Sequence, residues 1–346
     1  MSLVGSVSSM NEHATQPVLF RLTRAVVILS LVLAASVALA LLVGRQHIDF
    51  SRLSSDEFDR TLFFRLRLPR VAMGLLIGAS LSASGAALQA LFRNPLADPF
   101  TLGVSGGGTL GASIAIAAGW SARVAGVPLV FLASFAGALL ALMLVRSIAR
   151  TGAVIVPGAL LLSGVVLNLI SGAAVLTIQY VTDPNSALQI LRWMIGSLDV
   201  VGFAEIWHML IFLIPAWIGL LWFSQSLHLL AMDHDTAATL GVNVRRCETA
   251  VHLLCAVMIG VSVAVGGAIG FVGLLVPHAV RLMFGEDLRI VLPGSLLLGA
   301  AVLVLADLLG RTVLSSGELP VGAVTGLLGG PGFLWLLRRR QRYSAL

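Results

Sequence analysis

Gly103-Val104-Ser105-Gly106-Gly107 spells a nucleophile elbow and also the Gly-x-Ser-Gly of intramembrane serine proteases, with His252 and His278 downstream as bases. An elbow needs a strand ahead of its serine, whereas these residues read as a glycine-rich helix start, so hydrolysis is not expected. His208, His228 and His278 fall at or near the ends of apolar runs, without the helical spacing of a ligand pair. Cys247 and Cys255, eight apart in an apolar run, lack zinc or disulfide spacing, and no metal site is predicted. All 22 basic residues are arginine. A chain without lysine has neither a Walker A phosphate loop nor a Schiff-base lysine, so any ATP-driven work falls to another chain. Asp307, with Arg311 four residues on, makes a favourable pair near a helix end. That is shallower than the buried carboxylate expected of a proton-driven carrier.

These residues sit on elements of one kind. The 346 residues are 58% hydrophobic and 11% charged, far from a soluble domain. Apolar runs near 25–43, 71–92, 102–118, 124–145, 154–180, 204–223, 247–269, 272–284, 290–309 and 320–337 predict an all-α, polytopic membrane protein of ten spans, with both termini on one side. Residues 1–20 form a polar tail and 21–346 a single membrane domain. Arginine counting puts the N-terminus in the cytoplasm: the inner segments hold thirteen of the 22. Six of the remaining nine, Arg45, Arg52, Arg60, Arg65, Arg67 and Arg70, crowd one outer segment. Such a breach fits an external acidic partner or arginines snorkelling at a span head. The net charge of +6 suits anionic lipid at helix ends; with no basic stretch interleaved with aromatics, no nucleic-acid partner is expected.

Gly78, Ser80, Gly85, Ala86 and Pro95 recur 182 residues later as Gly260, Ser262, Gly267, Ala268 and Pro277. In this topology the second span runs inward and the seventh outward, an inverted repeat of the transporter kind. Glycines four apart, at Gly74 and Gly78, Gly103, Gly107 and Gly111, Gly266 and Gly270, and Gly322, Gly326 and Gly330, predict close helix contacts. Ser163, Asn168, Ser171, Thr177 and Gln179 line up along the fifth span, as a wetted path or as interhelix hydrogen bonds. In the inner loop 224–246, Asp233 or Asp235 can cap a short helix. Ala237, Ala238 and Leu240 give that helix an apolar surface, and Gly241 can end it. It reads equally as a plug for a partner's groove or an ordinary surface loop.

Taken together, several segments resemble the FecCD-type permeases of type II ABC importers, which carry iron-siderophores, haem or vitamin B12. They are Arg67-Leu68-Pro69-Arg70, Gln89 with Arg93-Asn94-Pro95-Leu96-Ala97-Asp98-Pro99, Leu102-Gly103-Val104-Ser105 and Trp193-Met194-Ile195-Gly196-Ser197. The C-terminal half adds Ala238-Thr239-Leu240-Gly241-Val242, Gly270-Phe271-Val272-Gly273-Leu274-Leu275-Val276-Pro277-His278, Ala306-Asp307, Arg311 and Glu318-Leu319-Pro320-Val321-Gly322. The resemblance implies a ten-helix, vitamin-B12-permease-like subunit of the bacterial inner membrane. It would work as a homodimer with two separate ATPase subunits and a periplasmic substrate-binding protein, without a cofactor of its own and without enzymatic chemistry. By similarity, Arg67, Arg70 and Arg311 receive acidic residues of the binding protein. Asp233, Asp235, Ala237, Ala238, Leu240 and Gly241 belong to the coupling loop that meets the ATPase. The fifth span and the segment 183–193, with Trp193, form the gate. The expected activity is alternating-access import of an iron complex, haem first, with a ferric siderophore or vitamin B12 as alternatives.

Overall fold

In hydrocarbon a backbone satisfies its own N–H and C=O groups only as a helix or a closed barrel, and the long apolar runs here take the first course. A computed structural model describes residues 17–44, 46, 56–124, 126–151, 154–155, 157–314 and 317–344. Its helices are α1 (Val18–Leu42), α2 (Glu57–Thr61), a π-helical turn (Leu62–Arg67), α3 (Leu68–Leu91), α4 (Val104–Ala117), α5 (Leu129–Ala149), α6 (Pro157–Val181) and α7 (Pro184–Ile195). They continue with α8 (Ala204–Trp222), α9 (Ser224–Met232), α10 (His234–Thr239), α11 (Val244–Gly266), α12 (Val272–Phe284), α13 (Leu288–Thr312) and α14 (Val321–Ser344). Two antiparallel hairpins of two-residue strands, Arg123–Val124 with Val127–Pro128 and Arg150–Thr151 with Val154–Ile155, close the turns before α5 and α6.

Each of the ten predicted spans is met by a helix. Among the described residues, seven helical stretches are long and apolar enough to cross a bilayer, while α4, α12 and the apolar part of α14 are shorter. The succession of a long helix, a loop, a short apolar helix and a further long helix runs from α3 to α5 and again from α11 to α13, the element-level counterpart of the repeated residues.

α3 is the buried centre: 89% of its membrane-length window is covered by the rest of the chain, mainly by α11, α12 and α13. Small residues permit that. A Cβ on Gly78 would strike the carbonyl of Gly299 on α13, and one on Gly85 would strike the carbonyl of Gly273 on α12. Gly107 and Gly111 meet α5 in the same way at Gly137 and Ala133, whereas a Cβ on Gly326 would enter open space. The predicted glycine pairs therefore divide into contact positions and bystanders.

Candidate functional site

α3 joins two polar ends of the molecule, and the outer one begins with the π-helical turn, which brings Arg67 and Arg70 to the C-terminal end of α1. The last carbonyls of a helix lack intrahelical donors. Arg67 donates to Leu41 O at 2.9 Å and to Gln46 O at 2.7 Å, and Arg311 donates to Ala40 O at 3.4 Å. Asp307, 3% exposed, lies between two guanidiniums: Arg70 Nε at 2.9 Å and Arg311 Nε at 2.9 Å. Arg70 also reaches Glu318 at 2.7 Å and Asp199 at 3.6 Å. The Asp307–Arg311 pair read from the sequence is thus part of a five-group cluster. Arg67 and Arg311, predicted to face a partner, are 5% and 6% exposed and turned into the chain. Among the described residues, Arg60 and Arg65 are exposed at this end with Phe58 and Phe64 beside them, as are the carboxylates of Glu57, Asp199 and Glu318. Arg45 and Arg52 lie outside the described residues.

Beneath this end a cavity of about 410 Å³ lies among α4, α6 and α7, lined by Phe100, Ser105, Thr109, Asn168, Met194 and Ala268 among others. Its polar groups are neutral. Asn168 accepts from Gly106 N at 3.0 Å and donates to Phe100 O at 2.7 Å, and so holds α6 against the head of α4. Ser105 Oγ is buried and has no hydrogen-bond partner among the described residues. The strand that a nucleophile elbow requires is replaced by a 3-10 turn, Pro99–Leu102, and a left-handed Gly103. Of the path residues read from the sequence, Asn168 lines this cavity and Ser171 is buried against Gly106. Ser163 and Thr177 bond back to the carbonyls of Ala159 and Ala173 on their own helix, and Gln179 donates to Ala187 O, tying α6 to α7. Trp193 packs its ring on Phe131. α7 starts at a built cap, Asp183 accepting from Asn185 N and Ser186 N; those bonds, with that of the Ser186 side chain first, hold its carboxyl below the usual range.

At the other end Asp233 caps α10, accepting from Thr236 N at 2.9 Å, which holds its carboxyl low. Gly241, at φ +86°, ends the turn where an L side chain would be strained. Leu240 is 63% exposed and Ala238 is exposed, but Ala237, predicted on the same outward apolar surface, is fully buried against the chain. Ala237 and Ala238 are successive residues of a helix and point about 100° apart, so when one faces water the other turns to the chain. Arg93, at the end of α3, donates to Leu230 O at 3.1 Å, an orphan carbonyl at the end of α9, and lies 4.0 Å from Asp233. This tie joins α3 to the α9–α10 hairpin and had no local sequence signal. Nor did Asp98, buried in the turn after α3, whose carboxyl burial pushes up to about 7 against a hydrogen bond from Phe100 N.

Residues 28–339 match the FecCD transport family. The chain is 39% identical over 297 residues to the hemin transport system permease of Yersinia pestis, covering 84% of this chain and 87% of that protein. It is 40% identical over 318 residues to the vitamin B12 import system permease of Vibrio vulnificus, covering 90% and 93%. A solved inward-facing structure assigned to the metal-chelate type of ABC transporter superimposes with a TM-score of 0.80 at 29% identity, covering 92% of this chain and 99% of the other.

Proposed function

This chain belongs to the FecCD transport family, and on that premise we propose that it moves an iron complex, haem foremost, from periplasm to cytoplasm by alternating access. It is a multi-pass permease subunit of an ABC importer, and ATP is hydrolysed by separate subunits; a chain without lysine has no phosphate loop of its own. The observation that carries the transport reading is the course of α3. One helix of 24 residues, roughly 36 Å long at 1.5 Å per residue, leaves the charged outer end and runs through the centre of the chain to the opposite end, where Arg93, just past its last turn, donates to the α9–α10 hairpin.

In this reading the bacterial inner membrane holds the chain with both termini in the cytoplasm. A second copy seats on the exposed apolar face of α6, at Leu162, Leu169 and Ile170. Each copy receives one ATPase subunit at Ala238 and Leu240. The periplasmic binding protein docks on the outer end, where Arg60 and Arg65 present charge to its acidic residues. Arg67, Arg70 and Arg311 give that surface its shape, and Arg70, the most exposed of the three, reaches its edge. The neutral cavity suits a bulky chelate already sequestered by its binding protein, because a deep internal site would only slow its release. Haem is put first on the Yersinia pestis relative; the Vibrio vulnificus relative supports vitamin B12, and a ferric siderophore is the third cargo.

The test is uptake in proteoliposomes holding the chain with its ATPase and binding protein, offered labelled haem, vitamin B12 or a ferric siderophore, with and without ATP. ATP-dependent accumulation of haem is expected. Accumulation of another cargo reassigns the substrate, and accumulation by this chain alone on an ion gradient overturns the importer reading.

A further inference from the structure

A second cavity, of about 680 Å³, opens at the α10 end between the C-terminal end of α5 and the N-terminal end of α11. Four arginines, Arg146, Arg150, Arg245 and Arg246, line it with a single carboxylate, Glu248, whose Oε1 stands 3.9 Å from His234 Nδ1. Arg146 is held in place by its bond to Thr249 Oγ1 at 3.0 Å, while Arg150, Arg245 and Arg246 are exposed. Arg245 and Arg246 occupy the first turn of α11, which carries no acidic residue. The helix dipole makes that end partly positive, so it disfavours cations and favours an anion. Four guanidiniums, two of them at the unfavourable end of a helix, are an arrangement that a bound anion relieves.

The other wall identifies the anion. Arg246, Ala250 and Leu253 succeed one another on one face of α11, and over roughly 10 Å of helix that face passes from charge to a leucine 61% exposed. On α5 the same change runs from Arg150 and Arg146 to Met143, 58% exposed. Both helices thus turn from cationic to apolar in the same direction away from the α10 end; within the cavity the arginines give way to Ala250 and Leu253, and Met143 continues the change on α5 outside its lining. A soluble anion or an acidic protein surface uses the first wall and leaves the second without a role.

We propose that this cavity binds an anionic glycerophospholipid, its headgroup phosphate held by Arg146, Arg150, Arg245 and Arg246 and an acyl chain lying along Leu253 and Met143. The full chain in lipid nanodiscs, examined by native mass spectrometry, is titrated with phosphatidylglycerol, with phosphatidylcholine and with inorganic phosphate. Wild type is expected to retain phosphatidylglycerol selectively. R245Q/R246Q should bind it about 30-fold more weakly, R245K/R246K should retain most of the binding, and R123Q, at the opposite end, should match wild type. Equal retention of phosphatidylcholine by wild type, which needs no variant, overturns the proposal. So does equal lipid binding by R245Q/R246Q. Displacement of the lipid by millimolar phosphate would make this a soluble-anion site. If R245Q/R246Q loses capture of the ATPase while its lipid binding is unchanged, the patch is a protein-docking surface instead.

Discussion

The two arginine-rich ends use the same side chain in opposite ways. At the outer end Arg67, Arg70 and Arg311 are largely withdrawn from solvent, and their charges are answered within the chain by Asp307, Glu318 and the terminal carbonyls of α1. At the α10 end Arg150, Arg245 and Arg246 are exposed beside Arg146, and Glu248 is the one carboxylate among the residues lining that cavity. Burial sets the difference. A charge removed from water must be paired and hydrogen-bonded, so the outer cluster is architecture. Arginines left in water keep their hydration, and Arg245 and Arg246, exposed in the first turn of α11, are the pair on which the proposed lipid site turns.

The largest expected effect breaks the outer cluster. Asp307→Ala leaves the buried Arg311 and the half-buried Arg70 without their shared counter-ion and should lower unfolding stability by about 3–5 kcal/mol, read from thermal unfolding in detergent. Asp98 examines the same rule from the acid side. With its folded pKa raised to about 7 above an unfolded value of about 3.9, its contribution is fully present below pH about 4 and is lost as pH rises to about 7. Stability should therefore fall by a few kcal/mol across that window, and Asp98→Asn should flatten the profile.

The α10 hairpin offers the comparison within one turn. Ala237→Asp places a carboxylate where the chain is closed and should cost about 2–4 kcal/mol. Leu240→Asp, three residues on and exposed, should leave unfolding within about 0.5 kcal/mol of wild type yet weaken capture of the ATPase by about 30-fold. Normal capture by that variant would remove the docking role of α10. Arg67→Ala removes a cap from the end of α1 and should cost about 1 kcal/mol. Smallest of all, R245Q/R246Q in lipid-free detergent should change stability by no more than about 0.5 kcal/mol. A loss comparable to that of Asp307→Ala would mean that the inner arginines, too, are architecture.

Much of the frame was legible because helix formation in a membrane chain follows from local composition. Residues 288–312 cross as a helix because their run is apolar, and the Asp233 cap and Gly241 stop of α10 are set by side chains within a few positions. The Asp307–Arg311 pair was visible at helical spacing. Its third member was not, since Arg70 stands 237 residues away in the chain and no local pattern announces the meeting. Ala237 was misread for a related reason: composition marks a residue as apolar and leaves open which of two apolar surroundings receives it. The neutral lining of the cavity came through only partly, as Asn168; Phe100, Met194 and Ala268 come from three further elements that converge on it.

By itself, then, the sequence determined a lysine-free, all-helical membrane chain with its short exposed turn and its cluster of arginines ahead of the second apolar run, all properties summed over neighbouring residues. Tertiary structure alone decided which arginines are sealed into the fold and which face water, because burial and charge pairing depend on helices that meet across hundreds of residues. That decision separates a cation sealed into the fold from one that faces water.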